Sequence, residues 1–186
     1  MSSDKVAAIE ECIDAILSIL GVKATESNKD TPKRVAKMYV NELFKNINEN
    51  VNEFVNGLTT FPYESNGYGT PVKVKTSVKS MCEHHLMPFF GKVTVEYIPS
   101  DKIIGLSKIP RLVDFLSRKP TLQENLTEQI ADCLDKLLSP KYLKVTMVCT
   151  HTCVELRGAE KPCKTKTIAE RGERNGKAKI QKDTEK

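Results

Sequence analysis

Apolar residues near the start of the chain recur at helical intervals, at Val6, Ile9, Ile13, Ile16, Leu17 and Leu20, and Gly21 supplies a left-handed stop. One amphipathic helix is expected there. A second begins in "DTPKRVAKMYVNELFKNI", where Asp30 or Thr31 can cap, Pro32 suits the first helical position, and Val35, Tyr39, Leu43 and Ile47 form the apolar stripe. Arg34 and Lys37 share a different face, ordinarily a solvated one. From "PVKVKTSVK" the period falls from 3.6 to 2: Val72, Val74, Thr76 and Val78 alternate with lysines and Ser77, which predicts a half-buried strand. "GKVTVEYIP" alternates in the same way. "GLSKIPRLVDFLSRK" predicts a helix capped by Ser107, with Pro110 tolerable in the first turn. A further helix follows in "TLQENLTEQIADCLDKLLS", closed by Pro140. The last alternation, "LKVTMVCTHTCVELRG", gives Leu143, Val145, Met147, Cys149, His151 and Cys153 one parity, hence one expected face.

This order, helices, two strands, two helices, then a strand, predicts an α+β domain. With 186 residues, 39% of them hydrophobic, the chain can build one core. The expected division is a helical region over 1–60, a catalytic domain over 61–170 and a basic, disordered tail over 171–186. The acidic, amphipathic start lacks the marks of a signal peptide, and no apolar run is long enough to span a membrane, so a cytoplasmic location and no membrane partner are expected. Reduced thiols and metal ligation are therefore preferred for the six cysteines over disulfides. Cys12, Cys133 and Cys149 fall on apolar stripes and read as small hydrophobes; Cys163 is ambiguous.

The formal charge of +5 changes the picture little. From Lys164 to the end there are eight Lys/Arg against four Asp/Glu, so most of the excess lies in that tail. It holds no aromatic residue on which a base could stack, and no nucleic-acid partner is expected.

The candidate chemistry lies in the placement of three histidines. His84 and His85 stand in "SMCEHHLMPFFG", between two predicted strands, and His151 stands in "CTHTCVELRG". Cys82 and His85 have the spacing that lets one turn aim two side chains at one ion, and Cys153 can complete the set from a distant segment. Two thiolates and an imidazole suit Zn²⁺, and three protein ligands leave an open position of the catalytic kind. His84 and His151 remain to move protons, with a buried, hydrogen-bonded core place as the lesser rival reading of His151. Ser107, Lys108 and Arg111 crowd a predicted helix start that favours anions, and Arg157 follows the last strand closely. Thr121 and Glu124 fit a capping box, which would explain the glutamate without any substrate.

Taken together, "TPKRVAKMY", "SMCEHHLMPFFGKVTVEYIP", "IGLSKIPRLVDFLSR", "LQENLTEQIA" and "THTCVELRG" resemble the GTP cyclohydrolase I family, in the family's order, over roughly residues 5 to 167. The resemblance implies zinc held at Cys82, His85 and Cys153, and hydrolysis of GTP at C8 of the guanine. Formate release and rearrangement to 7,8-dihydroneopterin triphosphate, the first step towards folate and related pterins, would follow. It implies proton transfer by His84 and His151, with His151 near N7, and a part for Ser107 in the ribose rearrangement. Gln123 and Glu124 are implied to hold the purine, which turns the reading of Glu124 from cap to substrate contact. Lys108, Arg111 and Arg157 match triphosphate contacts, and Arg34 and Lys37 match basic residues supplied by a neighbouring subunit.

The family's tunnelling fold has an antiparallel four-stranded sheet with two helices after the second strand and a helical N-terminal region. Two pentamers form a homodecamer with active sites between subunits. The fourth strand is expected near residues 163 to 169. The chain departs from the family pattern in its closing segment, "CKTKTIAERGERNGKAKIQKDTEK", and in having Asn125 where many relatives have arginine. The closing departure motivates a rival reading, a catalytically silent zinc- and nucleotide-binding paralogue with Cys149 or Cys163 as a fourth ligand; another tunnelling-fold enzyme acting on a purine or pterin is a further alternative.

Overall fold

The apolar repeat at the start of the chain forms α1 (Ser2–Ile19), and Gly21, at φ 74°, turns the chain out of it in the left-handed region that glycine reaches without a clash. A computed structural model of the chain describes residues 2–64 and 67–173. The helix packs against α2 (Thr31–Met38) along one side only, so Ile16, Ile19 and Leu20 stay exposed. Cys12 is exposed as well, contrary to its expected place on a buried stripe. Periodicity selects a face; what covers that face is a separate, tertiary question.

α2 has Pro32 in its first turn, but Asp30 makes no side-chain cap bond. The expected long helix also ends early. After Met38 the chain widens into a π-helical turn, Tyr39–Leu43, in which Phe44 N–H donates to Tyr39 O at 2.9 Å, and Ile47 is left exposed. Tyr39 and Phe44, their ring centroids 5.1 Å apart, face each other across that turn. The short α3 (Val51–Asn56) is capped by Asn50, whose Oδ1 accepts from Asn52 N and Glu53 N at 3.0 and 3.3 Å. A small antiparallel pair, β1 (Thr60–Pro62) with β4 (Lys102–Ile104), precedes the second half of the domain.

The alternating segments form the main sheet from β2 (Val72–Cys82), β3 (Pro88–Ile98), β6 (Tyr142–His151) and β7 (Lys164–Gly172), joined antiparallel in that order. α4 (Lys108–Ser117) and α5 (Gln123–Leu138) lie in sequence between β3 and β6. This is the α+β arrangement expected of the tunnelling fold, with one addition. β5 (Pro120–Thr121) pairs parallel with the end of β2, through Met81↔Pro120 and Cys82↔Thr121. That short pairing carries the start of α5 to the end of β2. The departing terminal segment still makes its strand: β7 pairs with β6 from Tyr142↔Gly172 to Thr150↔Lys164. Arg171, in β7, grips Glu128 and Asp132 of α5 at 2.5 and 2.6 Å. The expected tail thus begins inside a strand, and its remainder from residue 174 lies outside the described residues.

One core lies between this sheet and the helices. Phe89, Val93 and Val95 of β3 and Leu143, Val145 and Met147 of β6 meet Leu112 and Leu116 of α4 and Leu126, Ile130 and Leu134 of α5, all buried. Each such side chain contributes about 1.5–3 kcal/mol on full burial. Ser80 Oγ donates to Ser117 O at 2.9 Å, tying β2 to the end of α4. Gly91 of β3 stands between Val78 and Cys149 in the register, close against the β6 backbone. A Cβ there would lie 2.0 Å from Val148 O and 2.7 Å from Cys149 Cα, both backbone atoms that cannot swing aside. Gly91→Ala is accordingly expected to cost about 3 kcal/mol by overpacking, read as a lower midpoint in denaturant unfolding. An unchanged midpoint would mean the two strands part without penalty.

Candidate active site

The final turn of β2 aims the first two sulfur and nitrogen donors. Cys82 N–H donates to Met87 O at 2.9 Å, and Leu86 N–H returns to Cys82 O at 2.8 Å, closing a tight connection between β2 and β3. Leu86 takes φ 51° to achieve it, an uncommon value for a residue with a branched side chain. Cys82 is buried and His85 exposed at the tip. The third donor comes from another part of the chain. β6 ends at His151, and α6 (Thr152–Glu155), a single turn held by Leu156 N–H to Thr152 O at 2.9 Å, presents Cys153. Cys153 therefore does not share the strand face that its parity predicts. Thr152 Oγ1 pins this turn to Pro88 O at 2.6 Å.

The ligand atoms of Cys82, His85 and Cys153 lie within 4.8 Å of one another. Tetrahedral zinc with sulfur ligands at about 2.3 Å would hold its donors nearly 4 Å apart, so the three need only a small contraction to share an ion. Among the described residues no other Cys, His, Asp or Glu joins the group. All six cysteines are free, and Cys149, a proposed fourth ligand, is buried with its thiol pushed up to about 12 by burial. Burial, followed by the charge of the neighbouring Cys82, also raises the Cys153 thiol. A divalent cation reverses that balance, because a coordinating thiol is deprotonated outright. The donor set fits a borderline cation with one position left open.

Next to this group stands His151, opposite Phe89 in the β3–β6 register. Their rings stack with centroids 4.9 Å apart and planes 12° from parallel. His151 Nε2 lies 2.8 Å from Gln123 Oε1. Burial lowers the pKa of the imidazole, partly opposed by the Glu124 carboxylate, which favours the neutral ring. His84 is exposed beside His85, with ring centroids 6.1 Å apart and planes nearly perpendicular.

Gln123 and Glu124 begin α5 just after β5, and Glu83 N–H donates to Thr121 O at 3.3 Å across the β2–β5 join. The capping box does not form. Leu122 occupies the cap position, and Thr121 Oγ1 donates to Leu122 O and accepts from no helix amide. β5 pairing commits Thr121 to the sheet, so the exposed Glu124 has no cap to make. Gln123, by contrast, is buried. Its side chain bonds within the protein, to His151 and to β6 and β7.

Ser107 precedes α4 but makes no side-chain cap bond; its φ of −68° and ψ of −15° are already helical, so its hydroxyl is not aimed back at the helix amides. It is exposed. Lys108 and Arg111 line a cavity of about 390 Å³ with Glu49, Asn50 and Glu53. Arg157 is exposed just after α6, where Gly158 turns the chain at φ 67°. Arg34 and Lys37 are exposed on α2, which packs chiefly on α1, and Arg34 pairs with Asp30 at 3.6 Å. An apolar cavity of about 480 Å³, lined by Met81, Phe90 and Arg118 among others, includes none of the three donors and not His151.

Sequence reasoning missed the supports. Phe89 stacks on His151, and Thr127, Thr165 and Thr167 bond to Gln123 or to each other. The alternating "KTKT" is the only signal that could have pointed to the last two.

The family model described as GTP cyclohydrolase I matches residues 9–185. GTP cyclohydrolase 1 of Lysinibacillus sphaericus is 42% identical over 175 residues, 92% of this chain and 90% of that protein. GTP cyclohydrolase 1 of Streptococcus agalactiae serotype V is 41% identical over 167 residues, 88% of this chain and 87% of that one. The bifunctional protein FolKE of Lactococcus lactis subsp. lactis is 46% identical over 156 residues, 82% of this chain, which spans 44% of that longer protein. Among solved structures, the archaeosine synthase QueF-Like in the apo form aligns with TM-score 0.46 and 23% identity, covering 59% of this chain and 98% of that one.

Proposed function

Because this chain belongs to the GTP cyclohydrolase I family, we propose that it hydrolyses GTP at C8 of the guanine, releases formate and rearranges the product to 7,8-dihydroneopterin triphosphate. The observation that carries this reading is the three-donor group of Cys82, His85 and Cys153 with His151 held beside it. Zn²⁺ is the ion whose preferences match two thiolates and one imidazole, and when bound it supplies Lewis-acid activation of water at neutral pH.

The chain's own groups divide the remaining work. Glu124, exposed at the start of α5, offers two acceptor oxygens to the N1–H and N2–H₂ donors of guanine. Phe89 and Gln123 orient the His151 ring, which exchanges a proton with the purine at N7. His84 serves the second proton transfer. Lys108, Arg111 and Arg157 supply three positive charges to the triphosphate, and Ser107 acts in the rearrangement of the ribose. Arg34 and Lys37 are exposed on α2, which packs chiefly on α1, and this suits donation to a neighbouring subunit. This reading includes a homodecamer of two pentamers, a cytoplasmic location and a product destined for folate or a related pterin. No described helix is long and apolar enough to cross a membrane.

The decisive test is incubation of zinc-loaded protein with GTP. Formate release and a pterin that becomes fluorescent after oxidation are expected, both abolished by chelator. Metal-replete, assembled protein that leaves GTP intact would refute the reading. A silent paralogue with a closed metal site would instead show three or more thiolates by metal spectroscopy, against the two expected here.

A further inference from the structure

A chain of buried and partly buried hydrogen bonds runs from β7 to the His151 ring, and each of its directions can be worked out. Thr127 Oγ1 donates to Gln123 O at 2.7 Å, the i−4 carbonyl of its own helix, which uses the only proton Thr127 has. The 2.6 Å bond between Thr127 Oγ1 and Thr167 Oγ1 must then be donated by Thr167. With its proton spent, Thr167 can only accept from Gln123, whose Nε2 lies 3.0 Å away. The other Nε2 proton faces two backbone carbonyls, Thr165 O at 3.0 Å and Met147 O at 3.3 Å. Turning the amide over would set its oxygen against both carbonyls and leave two buried acceptors facing a third, at about 1–3 kcal/mol for each unmatched group.

Gln123 is 1% exposed, so water does not rescue the flipped form. Its Oε1 therefore faces His151, and an amide oxygen accepts only. The 2.8 Å contact requires a proton on His151 Nε2. No hydrogen bond to Nδ1 occurs among the described residues.

We infer that Thr127, Thr167 and Gln123 act as a positioning relay that keeps a proton on His151 Nε2, leaving Nδ1 as the one nitrogen able to exchange a proton with substrate. The inference rests on the proposed GTP chemistry for its consequence, but the tautomer itself does not. It gives β7 a role beyond packing: its threonine hydroxyl reaches the reacting ring through one glutamine. The stack on Phe89 holds the plane of the ring; the relay decides which edge carries the proton.

The test uses the zinc-loaded assembly with ¹⁵N-labelled histidine. Three histidines give few signals, and the one lost in His151→Asn identifies His151 in solid-state NMR. The neutral ring is expected to show protonated Nε2 and bare Nδ1. Thr167→Val should give a mixture of tautomers and lower kcat for GTP at least about tenfold, as a wrong tautomer does elsewhere, with KM little changed. Thr167→Ser, which keeps the hydroxyl, should restore both. A wild-type ring protonated at Nδ1 overturns the inference, as does a Thr167→Val protein with unaltered tautomer and kcat. If the valine variant fails to fold, the wild-type spectrum still decides. Wild-type protein inert towards GTP would sink the proposed function while leaving the tautomer to be read.

Discussion

Replacing His151 with alanine is expected to abolish formate release while leaving the metal bound. General acid–base groups contribute about 10²–10⁴-fold, and His151 lies outside the donor group but is held in place by Phe89 and Gln123. Cys153 is only two residues on, yet α6 holds it through its own turn and through Thr152 on Pro88, not through the His151 ring. The fold should survive as well. The deletion strands Gln123 Oε1 in a buried place, at about 1–3 kcal/mol, and removes one stacked ring from Phe89. Metal content by elemental analysis, set beside single-turnover formate release, checks the prediction. If His151→Ala protein lost its metal, His151 would be a ligand, and the assignment of roles around the site would be wrong.

Cys153→Ser is expected to remove metal and activity together. A serine hydroxyl does not ionise as a thiol does, so only Cys82 and His85, both from one turn, would remain. Two ligands on a local turn hold an ion far less firmly than three that join separate segments, because the third is what excludes competing water and closes the geometry. Metal stoichiometry should fall from about one per chain towards zero, and the gain in melting temperature that metal gives the wild-type protein should disappear. Cys163→Ser is the matching control. Cys163 is exposed, outside the donor group, and its backbone N–H is taken by Glu155 at 3.1 Å. Metal retained in Cys153→Ser and lost in Cys163→Ser would reverse the ligand set and favour a closed, structural ion.

The connection between Cys82 and His85 was legible because a Cys-x-x-His turn is local: the five residues between β2 and β3 decide it. The strands β2, β3 and β6 were legible for the same reason, since a period of two is visible within a few residues. Glu124 was misread by spacing alone. A Thr-x-x-Glu pattern predicts a capping box wherever the threonine is free, and here the threonine belongs to β5. Cys153 was placed on the wrong element because parity assumes the strand continues, whereas β6 stops at His151. Cys12 and Ile47 were expected to be covered, but no described element lies over them.

Two kinds of information separate cleanly. Local order along the chain sufficed for the helices, the alternating strands, the knuckle of Cys82 and His85, and the likeness that named the family. Convergence did not follow from it: the arrival of Cys153 at the knuckle, of Gln123 under His151, and of Thr167 behind Gln123 depends on strand register and on the short β2–β5 join. Periodicity and turn spacing act over a few residues, and a reader of the chain can see them. Register is set by the packing of one core against the whole sheet, so which distant side chains meet was decided only when the chain folded.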